Sequence, residues 1–373
     1  MIRSQDEHQH DLFFWFAVLA LGLFGLLMVY SASSVAAFDQ LGDSFFLFRR
    51  QFFFFSAGAL IMWLSSRVHP DTWLKLSPLL LGSAAVGLVV VHIPGVGHAA
   101  GGASRWISFG MFTLQPSEFV KLFAALYFAQ LLGKKKKELL ETFQFGIAPV
   151  LVIAGVLGIG MMTQPDFGNT VILFAVAIVS LYLSGVRLRH LSYLALVALP
   201  MAAFLALSAG YRRRRLESFL DPWADPTSSS YQILQSFSAF SSGGFWGKGL
   251  GNSQEKLFFL PKVHTDFIAS IVGEELGFAG VLMLCTCFAF IVWYALRVAE
   301  RTTTKSHAIL VSVLGFMIGL QAFLNFAVVL GLAPTKGLPM PFISYGGSSL
   351  VVAFWACGLI QSVARVQWRE PAA

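Results

Sequence analysis

Runs of about 18 or more apolar residues recur along the chain from end to end, the length a helix needs to cross the hydrocarbon of a bilayer. Short polar breaks divide these runs into ten predicted spans: 12–32, 50–66, 76–93, 116–132, 144–162, 167–184, 191–209, 267–296, 308–331 and 347–364. The eighth is long enough to tilt or kink. The first is too long for a signal-peptide core and lacks a clear cleavage site, so it reads as a span. The expected fold is an all-α polytopic membrane protein, a single integral membrane domain over 1–373. One large loop, 210–266, separates spans seven and eight.

Composition narrows this further. The chain is 56% hydrophobic and 12% charged, where a soluble domain carries about twice that charge. No polar stretch exceeds about 60 residues, so no soluble domain is embedded in it. Cys285, Cys287 and Cys357 lie in apolar segments and read as small core hydrophobes. Histidines at metal-ligand spacing, a phosphate-binding Walker loop and a dinucleotide fingerprint are all absent, and nothing points to nucleic acid.

Charge orients the spans. With the N-terminus in the cytoplasm, the inner segments carry fourteen cations, among them Arg67, Lys134, Lys135, Lys136, Lys137 and Arg301. The short outer loops carry four: Arg49, Arg50, Arg105 and Lys336. The positive-inside rule favours this arrangement, with both termini cytoplasmic. The large loop breaks the pattern, because it would lie outside yet holds Arg212, Arg213, Arg214, Arg215, Lys248, Lys256 and Lys262. These are either tolerated solvated charges or an electropositive surface for an anionic ligand, since arginine forks suit phosphate oxygens. Its SSGGFWGKGLGN run offers glycines that let the backbone approach something closely.

Polar, Gly/Pro-rich segments gather on the outer face: GGASRWISFG and TLQPSEF before span four, TQPDFG between spans five and six, HTDF before span eight, and PTKGLPMPFISYGGSS between spans nine and ten. Irregular backbone near membrane depth is tolerated where it lines a cavity or is buried in protein. Glu118 and Lys121 are three apart and can pair within the membrane. Asp166 is placed to cap the sixth span. Asp266 lies at the start of span eight near the aqueous interface, where it is either a helix cap or an accessible acid. Glu274 follows about 12 Å along the axis, and Glu275 faces away from Asp266. One of these two glutamates is expected to meet a cation or a helix end.

Six motifs, GASRWISFG…QPSEFVKL, QPDFG, RLESFLDPWADP, SSGGFWGKGLGNS, FLPKVHTDFI…GEELGF and PTKGLPMPFISYGGSS, occur in the order found in the SEDS (shape, elongation, division and sporulation) proteins, and the resemblance covers nearly the whole chain. Trp223 in DPWADP, the stretch LGNSQEKLFFLP and Lys336 resemble the cell-division branch more than the elongation branch. FIAS after His264-Thr265-Asp266, where the family more often has FIFA, and the polar SFSAFSSGG depart from the usual pattern. They bear on packing beside the acid.

The resemblance implies ten transmembrane helices and polymerisation of lipid II into glycan strands at the outer leaflet. It also implies a class B penicillin-binding protein as partner, other division proteins, and the septum of the bacterial inner membrane as the place of work. The family's essential aspartate falls on Asp266 and its motif tryptophan on Trp106. An inverting transfer between lipid II and an undecaprenyl-diphosphate-linked glycan needs one base, here Asp266, rather than two close carboxylates. Arg105, Arg212, Arg213, Arg214, Arg215, Lys262 and Lys336 are candidates for the diphosphates, with room for a divalent cation such as Mg²⁺ or Mn²⁺. His264 is a further candidate for substrate binding. Trp106 either stacks on a sugar or anchors the interface. The rival readings are a lipid II flippase, which would place polar residues near mid-bilayer and on both faces, and a division scaffold.

Overall fold

The computed structural model describes residues 5–100, 103–110, 112–193, 196, 200, 210–224, 230–256, 264–335 and 337–367. Its helices are α1 (Gln5–Leu41), α2 (Phe46–Arg67), α3 (Pro70–Val90), α4 (Pro116–Gly133), α5 (Lys137–Leu140), α6 (Ala148–Met162), α7 (Phe167–Leu183), α8 (Gly210–Leu220), α9 (Tyr231–Gly243), α10 (Ile268–Arg301), α11 (Lys305–Val329) and α12 (Gly347–Gln367). A turn of π-helix, Phe143–Ile147, leads into α6. Helices therefore stand at every predicted span except the seventh, 191–209, most of which lies outside the described residues. Among the described residues, six stretches are long and apolar enough to cross a membrane: Gln9–Leu41, Pro70–Val90, Phe143–Met162, Ile268–Arg301, Lys305–Val329 and Gly347–Gln367.

Helices that face lipid are apolar all round, so burial separates the inner from the outer ones. In α3 only a stripe is buried, including Leu74, Ser77, Leu81, Ala84 and Leu88 at helical spacing. In α4, α11 and α12 most positions are buried. Small residues set the closest approaches, as expected where packing alone holds helices together. A side chain at Gly358 of α12 would collide with Ser65 Oγ and come within 2.6 Å of the Met62 carbonyl on α2. Phe55 and Phe354 meet edge to face at 5.5 Å beside it.

One small sheet was not foreseen. β1 (Gly97–Ala100), β2 (Ala103–Phe109) and β3 (Phe112–Leu114) pair antiparallel in that order, with Trp106 opposite His98 and Ile107 opposite Leu114. Gly110, at φ +62°, supplies the left-handed residue of the β2–β3 turn.

The long eighth segment is two helices. At Gly277 the backbone leaves helical geometry (φ 64°, ψ −161°). The halves bend toward one another, so that a side chain at Gly280 would collide with Leu276 and lie 3.3 Å from Val272. The break frees backbone groups that an intact helix would pair. The Gly-rich loop after α9 takes them up: Lys248 N donates to Glu274 O (3.0 Å), Gly249 N to Glu275 O (2.9 Å), Phe278 N to Gly244 O (2.9 Å) and Ala279 N to Phe245 O (3.1 Å). Gly243, Gly247 and Gly277 leave no room for Cβ atoms at this seam. That is the close approach the glycines predict.

Both buried glutamates find cations from the same loop. Glu274 takes Lys248 Nζ at 2.8 Å, Gln254 N at 3.0 Å and the Ser253 hydroxyl. Glu275 takes Lys256 Nζ at 2.9 Å and Ser31 Oγ of α1 at 2.7 Å. Two cations expected on an anion-binding surface therefore turn inward. Glu255, also buried, has one oxygen without a partner. Burial pushes its carboxyl above the ordinary range and Glu274 adds to this, while the Ser238 hydroxyl and Lys248 oppose it.

Two outcomes follow from the packing. Gly358→Val forces α2 and α12 apart and lowers stability by about 1–3 kcal/mol. Gly155→Ala, with nothing within 4 Å of where its methyl would lie, gains up to about 1 kcal/mol from helix propensity. Melting curves in detergent check both. For Glu255, the folded-state pKa lies above the unfolded one. Its contribution is thus fully present below the unfolded pKa and is lost as pH rises through the folded pKa. Glu255→Gln therefore flattens the pH dependence of the melting temperature and gains most over the wild type at the alkaline end.

Candidate functional site

Two ends of the bundle differ in chemistry. At one, Gly133 abuts Ser306, Thr302 bonds Gln367 (2.9 Å), and His307 meets Asp71 (2.7 Å). At the other lie the sheet, the 163–167 turn, the 264–267 turn and the 330–346 loop, where four of the polar motifs converge.

Asp266 sits in that second group, half-buried in a turn ahead of α10. The cap position belongs to Phe267, so Asp266 lies one residue outside the helix end. Its backbone carbonyl accepts from Asn325 Nδ2 of α11 at 2.9 Å, and the same amide donates to Leu338 O at 2.9 Å. One asparagine thus ties the aspartate's backbone to the 330–346 loop. Within that loop Gly337, at φ +66°, passes so close that a Cβ there would be 3.6 Å from Asp266 Oδ2. Glycine adopts that left-handed backbone at low cost.

The loop is held from three sides. Gln51 of α2 donates to Ser344 O (3.1 Å) and accepts from Gly346 N (3.3 Å). Gln321 of α11 donates to Pro339 O (3.2 Å). Tyr345 N donates to His264 O at 2.8 Å, and the two rings meet edge to face at 5.7 Å. Phe342 is buried at φ +65°, a costly conformation for an aromatic residue, and its carbonyl occupies the space left by Gly25 of α1. Burial lowers the His264 pKa, keeping the ring neutral. Burial raises the Tyr345 hydroxyl's pKa, opposed by the Arg50 guanidinium beside it. Sequence reasoning overlooked Gln51, Asn325, Gln321, Arg50 and Tyr345. For Gln51, Gln321 and Asn325 the available signal was a polar residue inside a predicted span, and for Arg50 and Tyr345 a place among the outer cations and in the PTKGLPMPFISYGGSS motif.

A second polar cluster joins α4 and α7. Asp166 caps α7 and accepts from Ser117 Oγ (2.6 Å), Asn169 Nδ2 (2.9 Å) and Gln115 Nε2 (3.0 Å). Lys121 Nζ lies 3.0 Å from Glu118 and donates to Asn169 Oδ1 at 2.6 Å, both lysine and glutamate fully buried. These are the pair and the cap that spacing predicts. Gln115 N donates to Ser348 Oγ (2.9 Å), linking the cluster to α12 below the loop.

The candidate cations divide. Arg105 donates from Nε to Gln164 O (2.9 Å) and from Nη2 to Pro165 O (2.7 Å), clamping the sheet to the 163–167 turn. Trp106 pairs with His98 where the register of the β1–β2 ladder shifts and Arg105 is left out of the pairing. Arg215 donates to Thr335 O at 3.1 Å, bringing α8 to the loop that covers Asp266. Arg213 pairs with Glu217 on the exposed face, and Arg214 is exposed. Arg212 lies in α8 with its side chain outside the described residues, as Lys262 and Lys336 are entirely. No group of three or more His, Cys, Asp or Glu is arranged to hold a metal ion among the described residues.

Comparison with known proteins agrees with this architecture. A family model described as cell cycle protein, spanning FtsW, RodA and SpoVE, matches residues 11–368. A Geobacter metallireducens protein named probable peptidoglycan glycosyltransferase FtsW is 42% identical over 363 residues, 97% of this chain and 96% of that one. Stage V sporulation protein E of Bacillus subtilis is 39% identical over 355 residues, 95% of this chain and 97% of its own. A chain from a structure described as the structural coordination of polymerization and crosslinking by a peptidoglycan synthase complex superposes with a TM-score of 0.77 at 26% identity, covering 96% of this chain and 98% of that one. The rod shape determining protein RodA of Thermus thermophilus gives 0.70 at 25% identity, covering 96% and 97%. With its motifs in order, its helices in place and its full length matched, the chain belongs to the FtsW/RodA/SpoVE family of multi-pass cell cycle proteins.

Proposed function

We propose that the chain is a peptidoglycan glycosyltransferase that polymerises lipid II into glycan strands at the outer leaflet, with Asp266 as general base. The observation that carries this reading is the setting of Asp266. It is a half-buried acid at the polar end of the bundle, its backbone fixed by Asn325, beside a loop whose Gly337 passes close to the carboxylate. The names of the curated relatives supply the reaction class.

The donor's disaccharide is α-linked to a polyprenyl diphosphate, and the product is β-1,4-linked, so the anomeric carbon inverts. The acceptor's 4-hydroxyl oxygen attacks that carbon as the carbon–oxygen bond to the diphosphate breaks. The hydroxyl proton passes to Asp266, and undecaprenyl diphosphate leaves with the bonding pair. A base in this role contributes about 10²–10⁴ in rate. Arg213, Arg214 and Arg215 on α8, with Arg212, Lys262 and Lys336, stabilise the departing charge. Trp106 offers a stacking face to a sugar. A divalent ion such as Mg²⁺ or Mn²⁺ would supply further charge neutralisation. Asp266 offers one hard carboxylate, and such ions are commonly held by one or two carboxylates plus substrate phosphates. The charge bias toward the opposite end supports cytoplasmic termini. Work at the division septum with a class B penicillin-binding protein and other division proteins completes the proposal, in keeping with the synthase complex to which the chain is similar.

Asp266→Asn keeps the side chain's size and removes its basicity. Chain formation from purified lipid II, with the class B partner present, falls at least about 100-fold. Lipid II binding and the melting temperature stay near wild type, because the lost interaction belongs to the transition state. A folded variant that polymerises normally would return Asp266 to a structural role. Changing Arg212 through Arg215 to glutamine weakens binding of a lipid diphosphate analogue and reduces its salt dependence, as charge-assisted contacts require. Equal affinity and an equal salt slope in the quadruple variant would remove α8 from the binding surface.

A further inference from the structure

The seam between α10 and the Gly-rich loop does more than close a gap in a helix. The helical piece 268–276 is short and separated from the rest of α10 at Gly277. An isolated helix of about nine residues has little stability of its own. Three external ties hold its C-terminal end. The loop supplies backbone donors to the carbonyls of Glu274 and Glu275. Lys248, Ser253 and Gln254 N hold the Glu274 carboxylate. Lys256 and Ser31 hold that of Glu275, with Lys256 Nζ also donating to Gly251 O at 2.6 Å. Ser270, near the other end, shares a hydrogen bond with Ser236 of α9 at 2.6 Å. Asp266 stands two residues before this piece.

We infer that the Lys248–Glu274 and Lys256–Glu275 pairs are positioning elements that set Asp266 by clamping the helical piece 268–276 to the loop and to α1. The inference rests on the glycosyltransferase reading and adds residues to it. Neither pair touches the proposed site. Each acts through the backbone of that helical piece, which runs into Asp266, whose own carbonyl is held by Asn325. Orientation of a catalytic group contributes strongly to rate, and misplacement by about 1 Å is enough to slow turnover about 100-fold. Removing one cation also leaves a buried carboxylate uncompensated, which loosens the piece rather than the whole bundle.

The test compares wild type, Lys248→Met, Lys248→Arg and Ser253→Ala, each with the class B partner. The readouts are kcat, KM, melting temperature and amide hydrogen exchange. Lys248→Met lowers kcat at least tenfold with KM within twofold, and speeds exchange selectively over 264–276. Lys248→Arg restores most of the rate. Ser253→Ala, which removes an uncharged donor to the Glu274 carboxylate and leaves the ion pair in place, gives a smaller change of the same pattern and serves if Lys248→Met does not fold. Wild-type kcat in a folded Lys248→Met or Ser253→Ala protein would overturn the inference, as would faster exchange spread evenly over all helices. If the wild type itself builds no glycan, the glycosyltransferase reading fails instead, and exchange over 264–276 still reports whether the clamp exists.

Discussion

Backbone amides and carbonyls in a membrane protein must find partners within the protein, because hydrocarbon offers none. This chain interrupts a long apolar helix at Gly277, and the architecture around the site follows from how that interruption is repaired. The repair is a loop rich in glycine whose amides and carbonyls replace those of the missing helical turn. Once the loop is seated, its lysines are carried against two buried carboxylates. The helical piece that leads from Asp266 becomes a separately held unit rather than the end of a straight rod.

The same demand for partners governs the cations. A net charge of +7 and a basic loop suggest a broad electropositive face. In the folded chain Lys248 and Lys256 neutralise glutamates, and Arg105 directs two donors to backbone carbonyls. Arg215 reaches Thr335 O, beside the loop over Asp266. Among the described residues of the basic loop, the cations left exposed are Arg213 and Arg214 on α8. The Ser117–Asp166–Asn169–Lys121–Glu118 network follows the same rule inside the bundle, except for one buried Glu118 oxygen that has no partner.

Much was legible in the sequence because membrane helices are written plainly. Length and hydropathy located the helices, since a bilayer sets a minimum apolar run. Spacing alone placed the Glu118–Lys121 pair and the Asp166 cap, both local to one helix turn. Motif order identified the family. The packing faces were not legible, because a lipid-facing position and a core position are equally apolar. The sheet at 97–114 was hidden among glycines. The length of the eighth span allowed a kink, but nothing in the sequence marked Gly277 as its place. Which cation meets which carboxylate, and that Asn325, Gln51 and Gln321 hold the loop over Asp266, are contacts between residues from tens to hundreds of positions apart. Only the folded chain, which brings those positions within hydrogen-bond reach, decides them.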